Sequence, residues 1–367
     1  MSLNPPTTKL IDCEPFIKTD VSYKWSEFVD GGNGILYGIP FNAPRVLQFN
    51  VEFKTVKEIG PGLGEAGSSN DSRRGPCKYW KGILAGNGSI YCVPNHAKHF
   101  LKISPREGRD AKIQVLAKRP LPKVRNGYSM WLGGVKAMDG CIYYMPHFAN
   151  RILKLEPDKG DALSLIGADL GFARYGAAVL GSDDMIYGIP YEQMNKGDPV
   201  DVMFRIPNVH RAGMNENSMI HGDVIALNGN IFYTINRFGQ ILKIDITNND
   251  CDLIGEKIHE GAGRGWGLPV LGANKCIYFP PHEFDRVLEF NPKTQVIELV
   301  GESFTDKDCK WCGGTLAADG FIYYVPSHGK QILQIDSRPI NEKVLELVAN
   351  MNDERNKTVK NAKEDEL

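Results

Sequence analysis

Trp311-Cys312-Gly313-Gly314-Thr315-Leu316-Ala317-Ala318-Asp319-Gly320-Phe321-Ile322-Tyr323-Tyr324-Val325-Pro326, followed by Ser327-His328-Gly329-Lys330-Gln331-Ile332-Leu333-Gln334-Ile335-Asp336, is the stretch that decides the fold. An aromatic residue opens an apolar run, and an Asp-Gly pair that accepts positive φ turns the chain. A second apolar run is stopped by proline, and a polar loop leads into a third run. The centre of the second run recurs at Leu36-Tyr37, Ile90-Tyr91, Ile142-Tyr143, Ile186-Tyr187, Ile231-Phe232, Ile277-Tyr278 and Ile322-Tyr323, at intervals of 54, 52, 44, 45, 46 and 45 residues. Seven copies at such a period mark a unit that buries its hydrophobic faces only by stacking on its neighbours.

Each copy carries signals for four short strands. Strand A holds triplets such as Ile83-Leu84-Ala85 and Val135-Lys136-Ala137, and ends in Asn87-Gly88, Asp139-Gly140, Asn228-Gly229 or Asp319-Gly320. Strand B is the Ile-Tyr run that stops near Pro40, Pro94, Pro146, Pro190, Pro281 or Pro326. Strand C is typified by Ile152-Leu153-Lys154-Leu155, and strand D is a short run ending in glycine, as in Val56-Lys57-Glu58-Ile59-Gly60. The fold class read from this pattern is all-β, a seven-bladed β-propeller of four-stranded antiparallel blades. The array is assigned to residues 21–349, with 1–20 as an N-terminal strap or edge strand and 350–367 as a charged tail that composition predicts to be disordered. The first and last copies each read as holding all four strands, so the means of closure stays open.

A near balance of 43 basic and 44 acidic residues, net charge −1, supplies no field that would favour nucleic acid or an anionic membrane. No apolar run approaches a membrane span and no signal-peptide pattern opens the chain. The eight cysteines follow no pairing scheme, which points to a reducing compartment and hence the cytoplasm. The ending Lys363-Glu364-Asp365-Glu366-Leu367 is similar to an endoplasmic-reticulum retrieval signal but has Glu364 where that signal has lysine, so the ER lumen is the alternative. A monomer is expected.

The pattern Trp-x-Gly-Gly-x-x-Ala-x-Asp-Gly-x-Ile-Tyr-Tyr-x-Pro, followed by Ile-Leu-x-Ile-Asp, resembles the broad group of seven-bladed propellers that includes virginiamycin B lyase-like, NHL and Kelch-type repeats. The resemblance covers about nine tenths of the chain and implies the architecture. That group contains binders, lyases and lactone hydrolases, and no catalytic motif is matched residue by residue.

Candidate site residues follow from repeat position, because D–A and B–C loops emerge on one face of a propeller around the channel mouth. Eleven residues before each strand-B isoleucine, or its equivalent, stand Trp25, Tyr79, Trp131, Tyr175, Ile220, Trp266 and Trp311, a set suited to ligand stacking or, alternatively, to packing between blades. The B–C loops collect His96, His99, His147, His282 and His328, with Arg45, Arg151 and Arg286 at one repeat position. Imidazoles gathered there could shuttle protons or bind a metal, and arginines could hold a carboxylate or phosphate. The alternative is structural: histidine to a neighbouring carbonyl, arginine to the acid ending strand C.

Three long connections, Gly60 to Cys77, Arg106 to Met130 with Lys118, Arg119, Lys123 and Arg125, and Glu192 to Val200, are read as loops. Cys309-Lys310-Trp311-Cys312 has no second pair at zinc spacing, and Gly62-Leu63-Gly64-Glu65-Ala66-Gly67 leads into no helix. The functional expectation is a binding scaffold that holds a protein or small-molecule ligand on this loop face. The alternative is a metal-assisted lyase or hydrolase that uses His147, His282 or His328 as ligand or base and Arg151 or Arg286 for an anionic substrate. Cofactor, metal and catalytic residues are left unassigned.

Overall fold

A computed structural model describes residues 6–64, 77–116, 130–171, 175–181, 184–190, 225–234, 239–245, 250–258, 265–305 and 310–339. The tail 350–367, the insertion Glu192–Val200, the basic run Lys118–Arg125, Ile220 and Cys309 lie outside these residues.

Blade one consists of Trp25–Asp30, Ile35–Pro40, Val46–Asn50 and Thr55–Ile59, each strand antiparallel to the next. Blade two is Tyr79–Leu84, Ile90–Pro94, Leu101–Ser104 and Lys112–Val115. Its outer strand lies inside the stretch from Arg106 that the sequence presented as a loop, because Lys112-Ile113-Gln114-Val115 ends without the usual glycine. Blade three follows as Trp131–Lys136, Ile142–Pro146, Ile152–Glu156 and Ala162–Ile166. The described part of blade four is Tyr175–Leu180 with Ile186–Pro190. Blades five and six are four-stranded sheets over Ile225–Ile254 and Val270–Val300. Among the described residues the one helical turn is the 3-10 turn Pro157–Lys159.

Blade seven settles the closure and corrects the sequence reading. Its own chain supplies three strands, Trp311–Leu316, Phe321–Pro326 and Gln331–Asp336, and the fourth is Thr8–Asp12, antiparallel to the third from Thr8 opposite Ile335 to Asp12 opposite Gln331. Without it the edge Gln331–Asp336 would present unpaired backbone groups.

The hydrophobic core lies between blades. Trp131, Tyr144 and Leu153 of blade three, for example, form one cluster with Tyr91, Val93 and Phe100 of blade two. Aligned blade pairs also share buried hydroxyl bonds: Tyr324 Oη donates to Tyr278 O at 2.7 Å and Tyr144 Oη to Tyr91 O at 3.4 Å. Glycines that end outer strands make room for the next blade. Gly60 and Gly301 have φ of +83° and +77°, and their missing Cβ positions are filled by Ile113 and Thr8.

Removing residues 1–12 deletes a five-residue strand pairing and uncovers a hydrophobic edge, at a cost on the order of 3 kcal/mol or more. The expected outcome is a lower thermal midpoint together with concentration-dependent association in light scattering. An unchanged midpoint and a monodisperse monomer would contradict closure by this strand.

Candidate functional site at the loop-face mouth

The inner strands of blades one, two, three, four and seven start with a bulge. In blades one, two, three and seven the aromatic residue pairs with the proline of strand B (Trp25 with Pro40, Tyr79 with Pro94, Trp131 with Pro146, Trp311 with Pro326), and the register then shifts before pairing resumes three residues on. Tyr175 pairs with Pro190 in the same way, with the shift before Ala177. Such bulges re-aim side chains and free backbone groups toward the neighbouring blade. In blade one the freed residues are Ser26 and Glu27, and the buried Glu27 carboxylate accepts a hydrogen bond from the Gly82 N–H of blade two at 2.7 Å.

The aromatic ring proposed as a stacking surface is interior. Trp25, Trp131, Trp266 and Trp311 are at most 4% exposed, and Tyr79 and Tyr175 are equally buried. Every one of these indoles donates from Nε1 to the carbonyl twenty residues ahead, at the foot of strand C: Arg45, Arg151, Arg286 and Gln331, at 2.8 to 3.0 Å. The residues therefore lock strand A to strand C within a blade and offer no open face. Burial also pushes the Tyr79 and Tyr175 phenols above the ordinary tyrosine range.

The residue preceding each aromatic ties the loop face together. The N–H groups of Lys24, Lys78 and Lys310 donate to Ser327, Phe41 and His282 carbonyls of the preceding blade's B–C loop, at 3.0, 2.7 and 3.1 Å. Their own carbonyls accept from Phe41, Asn95 and Ser327 N–H groups of the same blade. All three lysine side chains are buried and repeat the backbone pattern: Lys78 Nζ donates to Asn42 O at 2.9 Å, Lys310 Nζ to Phe284 O at 2.9 Å, and Lys24 Nζ to His328 O. Burial is the main cause that lowers the Lys78 ammonium from 10.5 to about 8. The signal was present in the sequence, as lysine directly before the aromatic in three of the seven copies, but a lysine in a strand reads as a solvated face.

Of the predicted loop residues, the structure brings His282 and His328 together around a residue that repeat logic missed. Tyr23, in the left-handed region at φ 52°, places its ring 6.4 Å from the His282 ring in a stacked arrangement and 4.3 Å from the His328 ring, edge-on. The three residues come from blades six and seven and from the segment entering blade one. The cluster lies on the B–C loop side of the blades, with His282 buried and Tyr23 and His328 half-buried. The tyrosine itself is not repeated: the equivalent position in blade two, with the same left-handed φ and the same bond from the B–C loop (His96 N–H to Cys77 O), is Cys77. Cys13 N–H donates to Lys330 O, Lys18 and Thr19 N–H groups converge on Glu58 Oε1 at 3.0 and 3.1 Å, and Asn42 N–H donates to Tyr23 O, so the strap is pinned over blades seven and one. Lys330 lies 3.7 Å from the exposed Glu14, a pairing of little energetic weight.

His147 is placed apart, its Nδ1 3.3 Å from Tyr175 O with Phe148 edge-on at 4.7 Å, which is the structural alternative weighed for these histidines. His96 is half-buried, and burial lowers its imidazole below the ordinary value. Arg45 donates to Gly60 O, at the end of strand D rather than to an acid ending strand C. Arg151 and Arg286 are exposed. Among the described residues no group of three or more His, Cys, Asp or Glu side chains is placed to hold a metal ion.

No protein-family profile matches the sequence, and no curated protein matches it. Solved structures do. A streptogramin B lyase aligns over 90% of this chain and 97% of its own, at 14% identity and a TM-score of 0.63. A catalytically inactive histidine-to-alanine variant of virginiamycin B lyase from Staphylococcus aureus, with quinupristin, aligns over 90% and 99%, at 15% identity and a TM-score of 0.64. The chain has the fold of virginiamycin B lyase. The same propeller also matches the extracellular domain of a hybrid two component system from B. thetaiotaomicron, at 10% identity and a TM-score of 0.57, over 90% of this chain and 40% of that one. Among the described residues no helix is long and apolar enough to cross a membrane.

Lys78 makes a pH prediction with a defined sign. Its folded-state pKa lies below its ordinary value, so the folded protein loses this proton first as pH rises, and stability is gained between about pH 8 and 10.5. Thermal melts should show Lys78→Met losing this gain relative to wild type across that window. Parallel pH dependences for the two proteins would contradict a buried, weakly solvated ammonium.

Proposed function

We propose that the loop-face mouth binds a small molecule and acts on it by acid–base chemistry of the lyase type. The observation that carries the reading is the convergence of Tyr23, His282 and His328 from three separate segments. Histidine is the side chain best suited to move a proton near neutral pH, and a phenol beside it can hold or return that proton. In an elimination one imidazole takes a proton from carbon, the electron pair forms the carbon–carbon double bond, and the bond to the leaving oxygen breaks. The other ring nitrogen or the Tyr23 hydroxyl then protonates that oxygen. A lyase neighbour of the same fold is inactivated by loss of one histidine, which is consistent with this reading.

Ligand binding without turnover is the second reading, favoured by the likeness to an extracellular two component system domain. Arg286, exposed in the loop that carries His282, is then a candidate for an anionic group on the ligand.

Quinupristin, the ligand of the lyase neighbour, is the first probe. Incubation with wild type is expected to give a ring-opened product of unchanged mass, whereas hydrolysis would add the mass of one water. His328→Gln and His282→Gln should each lower the rate by about 100-fold or more while melting near wild type. Binding without product supports the second reading, and turnover unaffected by either substitution would contradict the assignment of the site.

A further inference from the structure

The polar cluster continues around the mouth into an aromatic pair. Asn42 N–H donates to Tyr23 O and Phe41 N–H to Lys24 O, so the loop that carries Phe41 is bonded directly to the segment that carries Tyr23. The Phe41 ring stands edge-on to the Trp80 ring, with centroids 5.5 Å apart. Trp80 is the first freed residue of the blade-two bulge, between Tyr79 opposite Pro94 and Gly82 opposite Cys92. It is also the one tryptophan of the chain's five that is not buried in the interior, since the other four are 0 to 4% exposed. Ser26, Gly176, Gly267 and Cys312 occupy the equivalent position in blades one, four, six and seven, and Leu132 occupies it in blade three. This position is thus small in blades one, four, six and seven, is the buried Leu132 in blade three, and carries a large half-buried side chain in blade two.

We propose that Phe41 and Trp80 form a subsite for a flat apolar ring of the ligand, set beside the Tyr23, His282 and His328 cluster that faces its polar, reacting part. This inference rests on the preceding functional reading for the identity of the mouth and adds a ligand class: a small molecule with an aromatic group joined to a polar acyl or alkoxy group. The half-buried indole packs against the buried cluster between blades two and three and meets Phe41 edge-on, so it is held in place, and a fixed indole recognises a ring at low conformational cost. A bulge is also the device that turns such a side chain out of the sheet while the strand remains paired on both sides.

The test uses full-length protein labelled with 5-fluorotryptophan, read by fluorine NMR. Trp80→Leu, which installs the residue of the neighbouring blade at this position, assigns the Trp80 resonance by its loss. Benzyl alcohol is expected to shift that resonance saturably and leave the other four in place, and n-propanol at equal concentration should not. The same response is expected in His328→Gln, so the result stands apart from the acid–base reading, whose failure would show as absent turnover. If turnover is observed, Trp80→Leu should raise KM about 10-fold with little change in kcat. A Trp80 resonance that does not move, or five resonances that move alike, would overturn the subsite.

Discussion

Five residues, Thr8–Asp12, pair with Gln331–Asp336 and make the seven blades a ring. An open array would have blade seven and blade one as unprotected ends, each with apolar surface and a free sheet edge. The cluster at that seam shows what closure gains: Cys13 and Ile17 of the strap bury with Trp25 and Phe49 of blade one and with Tyr323 and Ile332 of blade seven. The candidate site depends on the same seam. The strap that leaves the closing strand delivers Tyr23 to His282 and His328, so the polar cluster exists only in the closed ring.

A second constraint acts within the blades whose inner strands are described from the aromatic onward. Strand A must lie near the axis with its neighbours close by, and the bulge after the aromatic permits this. Gly133 and Gly313 sit against backbone of adjacent blades, where a Cβ would collide. The buried indole then fixes the displaced strand by its bond to the foot of strand C. This accounts for an invariant geometry, Nε1 to the carbonyl twenty residues on, in four blades whose loops otherwise differ. The residue after the aromatic varies widely, from Gly176 and Gly267 through Ser26 and Cys312 to Leu132 and Trp80.

The architecture was legible because its determinants are local and repeated: Asp-Gly or Asn-Gly turns, proline at the end of strand B, and seven copies at intervals of 44 to 54 residues. The aromatic positions were legible too, but not their role, since a repeated tryptophan reads equally as a platform or as core until its Nε1 partner is located. Residues 1–20 read as a strap or edge strand, but their part in closure stayed open because Thr8-Lys9-Leu10-Ile11-Asp12 lacks the terminal glycine of most outer strands and the last copy read as holding all four strands. Tyr23 was hidden for a related reason: its position recurs, as Cys77 does in blade two, but the tyrosine does not, and alignment of copies finds only residue types that recur. His282 and His328 were found by repeat position, whereas their meeting required the strap.

The measurement that bears most directly on the account is the response of histidine side-chain NMR signals to Tyr23→Leu, which removes one ring and should leave the fold intact. Ring-current and contact changes should move the His282 and His328 ring resonances together and leave His147 where it was. Unmoved His282 and His328 resonances, in a protein that melts like wild type, would contradict the convergence on which the site rests.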